Sequence, residues 1–246
     1  MDKDFFILAN SIKDVGSYPQ HQKMSLDENG YDYCAPNSVH KLWTDNFLES
    51  RPNFNSIQLS NKVILTDKIS STPIPWQVLI VSKKLLSILM EYNLPPNRVY
   101  SVPVLHNREP VSDYFAVHIL SPKSFLDEVN YEKSKFWITS GFENEKIKEL
   151  KITSSNELKL EHSKLNSMRQ RVRSEYFSMK SDFLRQMDLF AIPSPAFPVK
   201  YFISSNLKNA IEKENCTGVR FIERKNWQEP FIHKVLWKSL LKLPHS

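Results

Sequence analysis

A chain of 246 residues, 41% of them hydrophobic, can bury one large core or two small ones without covalent staples. Its two cysteines, Cys34 and Cys216, stand far apart with no CxxC spacing, so neither a disulfide framework nor a thiolate metal site is indicated and both are expected as free thiols. Against 27 acidic residues there are 33 basic ones; the net charge of +6 permits nucleic-acid binding without requiring it, while only four glycines disfavour a phosphate-cradling loop.

The N-terminus, Met1-Asp2-Lys3-Asp4, is acidic where a signal peptide needs a basic start. No stretch approaches the ~20 apolar residues of a membrane span, and a cytoplasmic, soluble protein is expected. Residues 1–45 predict short strands and loops, with a turn at Asp27-Glu28-Asn29-Gly30. Ile57, Leu59, Val63 and Leu65 alternate as in a strand pair, and a proline-containing linker covers 70–75. From Trp76 a compact unit follows. Strand Val78–Val81 meets Ser82, whose hydroxyl can cap a helix carrying Leu85, Ile88 and Leu89 on one face, and a second strand covers Val99–Val104. Tyr114–Leu120 and Phe136–Thr139 predict further strands, and Asp127-Glu128 reads as a polar helix start after Pro122.

Between Asn144 and Met187 the chain is charged and free of proline, with Leu158, Leu165, Met168, Val172, Tyr176, Met179 and Phe183 at mostly three-to-four spacings. This predicts one long amphipathic helix over roughly 161–186. After a proline cluster the earlier unit returns. Val199–Ile203, Ser204, then Leu207, Ala210 and Ile211, then Val219–Ile222 repeat the order of the first copy, and Ile203-Ser204-Ser205-Asn206-Leu207 with Ile211, Lys213 and Asn215 line up with Val81-Ser82-Lys83-Lys84-Leu85 with Leu89, Glu91 and Asn93 at a constant offset of 122. Phe231–Leu243 closes the chain as a basic amphipathic helix, read as packing Trp237 and Leu241 on the domain in preference to a membrane. The expected fold class is α+β: duplicated strand-helix-strand units, a mixed or antiparallel sheet and an inserted long helix. Four parts result, at 1–75, 76–143, 144–187 and 188–246, with one compact domain as an alternative.

Candidate chemistry is sparse. The seven histidines show no HExxH or i, i+4 pair, and there is no GxSxG elbow or nucleophilic cysteine signature, so no catalytic, cofactor-binding or metal-binding residue is assigned and a non-enzyme is expected. Arg169, Arg171 and Arg173 form the strongest basic concentration. On the predicted helix 169 and 173 share a face and 171 points elsewhere, so the arginines read first as a solvated surface, then as a protein-contact surface with Tyr176. Nucleic-acid binding through the basic helix 161–186 is the alternative, unaccompanied by any known nucleic-acid motif.

Several pieces resemble a known family. These are Ile80-Val81-Ser82 through Leu89, the Asp127 to Ser134 spacing after Val117-His118-Ile119, Asp188-Leu189-Phe190, and Ile203-Ser204 with Thr217-Gly218-Val219-Arg220-Phe221. Together, over roughly 76–223, they resemble an immunity-protein family of bacterial polymorphic toxin systems, formerly a domain of unknown function. The resemblance implies an antitoxin of bacterial competition, a toxin inhibitor that binds its cognate toxin or effector and occludes the active site or substrate entrance, acting in the cytoplasm without cofactor or membrane. Arg169, Arg171, Arg173, Tyr176 and Trp227 are the candidate toxin-binding residues, and the charged insertion is where partner specificity is expected. The basic balance leans towards a toxin with an acidic contact surface. Gly218 is read separately, as a turn residue able to take positive φ.

Overall fold

The computed structural model describes residues 5–12, 15–16, 20–24, 32, 34–43, 46–70, 74–140 and 146–223. In chain order its strands are β1 (Phe5–Asn10), β2 (His21–Met24), β3 (Ile57–Leu59), β4 (Lys68–Ile69), β5 (Val78–Ser82), β6 (Asn97–Ser101), β7 (Val104–His106), β8 (Glu109–Val111) and β9 (Tyr114–Ile119). They continue as β10 (Val129–Ser140), β11 (Lys146–Leu150), β12 (Gln170–Met179), β13 (Leu189–Phe190), β14 (Tyr201–Ser204) and β15 (Val219–Glu223). The helices are α1 (Lys83–Met90), α2 (Ser155–Asn166), α3 (Ser181–Gln186) and α4 (Ser205–Lys213).

The two strand–serine–helix segments form as their residues dictate. Ser82 and Ser204 sit in extended backbone, and each hydroxyl accepts the N–H of the third helix residue at 3.2 Å, from Leu85 and Leu207 respectively. Each hydroxyl also donates to a carboxylate, Asp67 at 2.7 Å and Asp188 at 2.6 Å. These carboxylates then reach across the molecule. Asp67 accepts the Thr217 N–H at 2.8 Å, beyond α4, and Asp188 accepts the Asn93 N–H at 3.2 Å, beyond α1. Each capped helix is thereby tied to the loop that follows the other.

Two four-stranded antiparallel sheets carry these helices, in the orders β4-β5-β9-β6 and β13-β14-β1-β15. Their registers correspond: Ser82 lies opposite Tyr114 as Ser204 lies opposite Phe5, and Asn97 opposite Ile119 as Val219 opposite Asn10. β1 therefore holds in the second sheet the place that β9 holds in the first. Between the sheets lies a shared core of Leu79, Val81, Leu85, Leu89 and Val117 with Leu8, Tyr201, Ile203, Leu207 and Ile211.

Each sheet buries its other face against a satellite. Val78, Ile80 and Ala116 pack on Ile57, Leu59 and Val104 from the sheet β2-β3-β7-β8, which contains the parallel pair β3–β7. Phe5, Ile7, Phe190 and Phe202 pack on Phe136, Val172 and Phe177 from the sheet β11-β10-β12. Phe177 lies 5.1 Å, centroid to centroid, from both Phe197 and Phe202, in edge-on geometry.

Several expectations are corrected. The single helix over 161–186 does not exist: α2 ends at Asn166, Arg169 takes φ +55°, and β12 runs from Gln170 to Met179 before the short α3. Val172 is fully buried and β12 pairs with β10 over most of its length, so tertiary pairing overrides the helical spacing. The expected strand Val99–Val104 breaks at Val102-Pro103, where the chain leaves one sheet for another. Of the strand pair in 56–65 only Ile57–Leu59 is a strand. Asp127-Glu128 follows the 3-10 turn Lys123–Leu126 and does not start a helix. Gly218 takes φ +77°, as its turn role requires. The turn at 27–30 and the C-terminal helix lie outside the described residues.

Candidate partner-binding face

The charged insertion folds as the satellite sheet β11-β10-β12, whose inner face is core and whose outer face is polar. Cross-strand pairing sets the outer face in rows. Glu149, Trp137 and Arg173 stand opposite one another on the three strands, and Lys146, Thr139 and Arg171 form the next row. Beyond them the register slips: Phe136 pairs with Ser174 but Lys135 with Tyr176, which leaves Glu175 as an extra, bulged residue. The bulge turns both Glu175 and Tyr176 to solvent.

Trp137 anchors this face. Its indole N–H donates to Glu175 Oε2 at 2.9 Å, and the ammonium groups of Lys135 and Lys146 lie 5.2 and 4.8 Å from its ring centroid. Lys146 also donates to Glu175, and Lys135 lies 3.4 Å from Glu175 and 3.5 Å from Glu149. The hydrogen bonds from Lys146 and Trp137 hold the Glu175 carboxyl down at about 2. Glu149 and Glu175 are thus both engaged within the face.

The arginines are arranged differently from the sequence expectation. On a strand, alternate residues share a face, so Arg171 and Arg173 project together, ~6.6 Å apart along the chain, where a helix would have separated them. Arg173 is half-buried and donates from Nη1 to the Pro195 carbonyl at 2.8 Å, while the Ser174 N–H donates to the Ala196 carbonyl at 2.7 Å. Arg171 is exposed and makes no ion pair among the described residues. Arg169 sits in the turn before the strand, and Tyr176 is 41% exposed at its far end. The pKa of His162, on α2, is pushed down by burial and then by the Arg171 and Arg173 charges. Trp227 lies outside the described residues. The structure thus places Arg171 and Arg173 together with Trp137, Lys135, Lys146 and Glu175, four residues that the sequence reading missed.

Other polar features are structural in character. Burial pushes the Cys216 thiol up to about 11, so it is not a thiolate near neutral pH, and Cys34 is exposed and free. A groove of about 700 Å³ between α4 and β15 is lined by Phe6, Lys208, Arg220 and Phe221, with Lys208 bound to Glu212 at 2.6 Å. Among the described residues no group of three His, Cys, Asp or Glu side chains could hold a metal ion, and no helix is long and apolar enough to cross a membrane. Comparison with protein families finds no matching family model, and comparison with curated proteins finds no match.

Proposed function

We propose that this chain is an immunity-type inhibitor, which binds a cognate bacterial toxin and occludes its active site or substrate entrance without chemistry of its own. The outer face of β11-β10-β12 is the contact surface in this reading. The observation that carries it is the set of Trp137, Arg171, Arg173 and Tyr176 on one satellite sheet, the aromatic and arginine side chains that dominate the energetics of protein interfaces. That sheet is also the insertion in which the family resemblance leaves partner specificity to be written. Cells expressing the toxin encoded beside this chain should survive when the chain is co-expressed, and the two proteins should co-purify. Absence of both complex and protection removes the reading.

The framework beneath that face is, in the same proposal, a duplicated strand-helix-strand unit in which β1 completes the second sheet at the place that β9 takes in the first. Matching registers at Ser82 and Ser204, matching caps and matching Asp67 and Asp188 clasps support it. The nucleic-acid alternative loses the continuous basic helix on which it was based, since 170–179 is a strand.

A further inference from the structure

We infer that the partner segment docking on this face is an acidic protein surface, with carboxylates spaced to meet Arg171 and Arg173. The inference rests on the reading of β11-β10-β12 as a contact surface and adds the chemistry of what it contacts. On β12 the two guanidinium groups are carried at i and i+2, a repeat of ~6.6 Å. That repeat equals the separation of alternate side chains on a partner strand, so two carboxylates at i and i+2 of an extended acidic segment can face them in parallel. Arg171 is the outward member, exposed and without an ion pair among the described residues. Its guanidinium can donate two N–H bonds to one carboxylate at little desolvation cost.

Single-stranded nucleic acid has charges at a comparable pitch, and the neighbouring groups argue against it. Glu149 lies in the same row as Arg173, and Glu175 stands beside Tyr176, so two carboxylates flank the arginines and, paired with Lys135 and Lys146, use up the lysine charge that a phosphate chain would need. A continuous phosphate chain would have to run past both. Trp137, the aromatic group a base would stack on, has its N–H bound to Glu175 and its ring faced by Lys135 and Lys146. A protein segment can place carboxylates at the arginines and apolar or hydroxyl side chains elsewhere, which a uniform polyanion cannot.

The test needs no toxin. Full-length protein is titrated with a 20-residue peptide of alternating glutamate and serine and, separately, with a thymidine oligonucleotide at equal charge concentration, and binding is followed by the amide and indole resonances of the protein. The glutamate-serine peptide is expected to shift the Trp137 indole signal and the β12 amides, with binding weakened at least tenfold in Arg171→Glu and largely restored in Arg171→Lys. Charge reversal at exposed Arg220, on β15, serves as a control that should leave the titration unchanged. Tighter binding of the oligonucleotide at the same residues overturns the inference in favour of nucleic acid. No binding at β12, or binding equally sensitive to Arg220→Glu and Arg171→Glu, overturns it outright. Failure here with intact protection in co-expression would reject the acidic contact and leave the inhibitor reading standing; loss of protection alone would do the reverse.

Discussion

Gly218 stands in the turn before β15 at φ +77°, where a built Cβ would lie 2.2 Å from the Lys68 carbonyl oxygen and 2.6 Å from Thr66 Oγ1. Both the backbone conformation and the crowding forbid a side chain. Gly218→Ala is expected to lose at least ~2 kcal/mol, read as a lower urea midpoint, and an unchanged midpoint would show the turn to be slack. His118 offers a second test at this scale. It is fully buried on β9 beside the Phe47 ring, and burial, with the Arg98 charge opposite, pushes its pKa down to about 4. The unfolded chain, with a histidine pKa of ~6.5, binds this proton more readily than the folded one, so stability must fall as pH drops from ~6.5 to ~4. His118→Leu should flatten that acid limb, measured as the unfolding midpoint at intervals across this range. A variant as acid-sensitive as the parent would place the limb elsewhere.

At the scale of elements, the two serine caps are equivalent in geometry and should be so in energy. Ser82→Ala and Ser204→Ala are each expected to cost ~1–2 kcal/mol, because each removes a helix cap and also the hydroxyl that satisfies Asp67 or Asp188. Markedly unequal losses in denaturant titration would mean that only one clasp bears on stability. Those caps were legible in the sequence, since an apolar strand, a serine and a three-to-four spaced helix face are all local signals. β12 was not legible as a strand. Met168, Val172, Tyr176, Met179 and Phe183 happen to satisfy a helical repeat, while what decides the structure is the pairing of Val172 with Ile138 and its burial near Phe136. Val172→Ala should accordingly cost ~2 kcal/mol in spite of alanine's better helix propensity; a gain in stability and helical circular dichroism would contradict the strand. Trp137 and Glu175 were missed for the same reason, as their bond joins residues 38 apart in sequence through a bulge that no local pattern announces.

For the molecule as a whole, pH reports on how the halves are joined. Lys68 on β4 is buried and donates to Asn10 on β1, and burial, with Lys200 adding to it, pushes its pKa down to about 7. The unfolded lysine binds its proton up to ~10.4, so stability rises with pH above 7 through this group. Cys216, raised by burial to about 11, acts in the opposite sense, as do the buried Tyr114 and Tyr201, because the unfolded chain releases those protons first. Maximum stability is therefore expected near pH ~9, above the usual neutral range, and Lys68→Met should abolish the rise between 7 and 9 in thermal unfolding. One transition is also expected, since Leu8, Val81, Leu85, Ile203 and Leu207 share a core drawn from both sheets. Two resolved calorimetric peaks would show the halves to be independent.

The placement of β1 in the β13-β14-β1-β15 sheet has a consequence for biosynthesis. Its partners are Tyr201–Ser204 and Val219–Glu223, so this strand has no hydrogen-bonding neighbour until almost two hundred further residues have been translated. Such long-range closure is slow, and it leaves Phe5 to Ala9 exposed as an apolar, unpaired edge on the nascent polypeptide. Truncated chains stalled before residue 201 should therefore recruit chaperones through this segment, and that sheet can close only once Glu223 has been released.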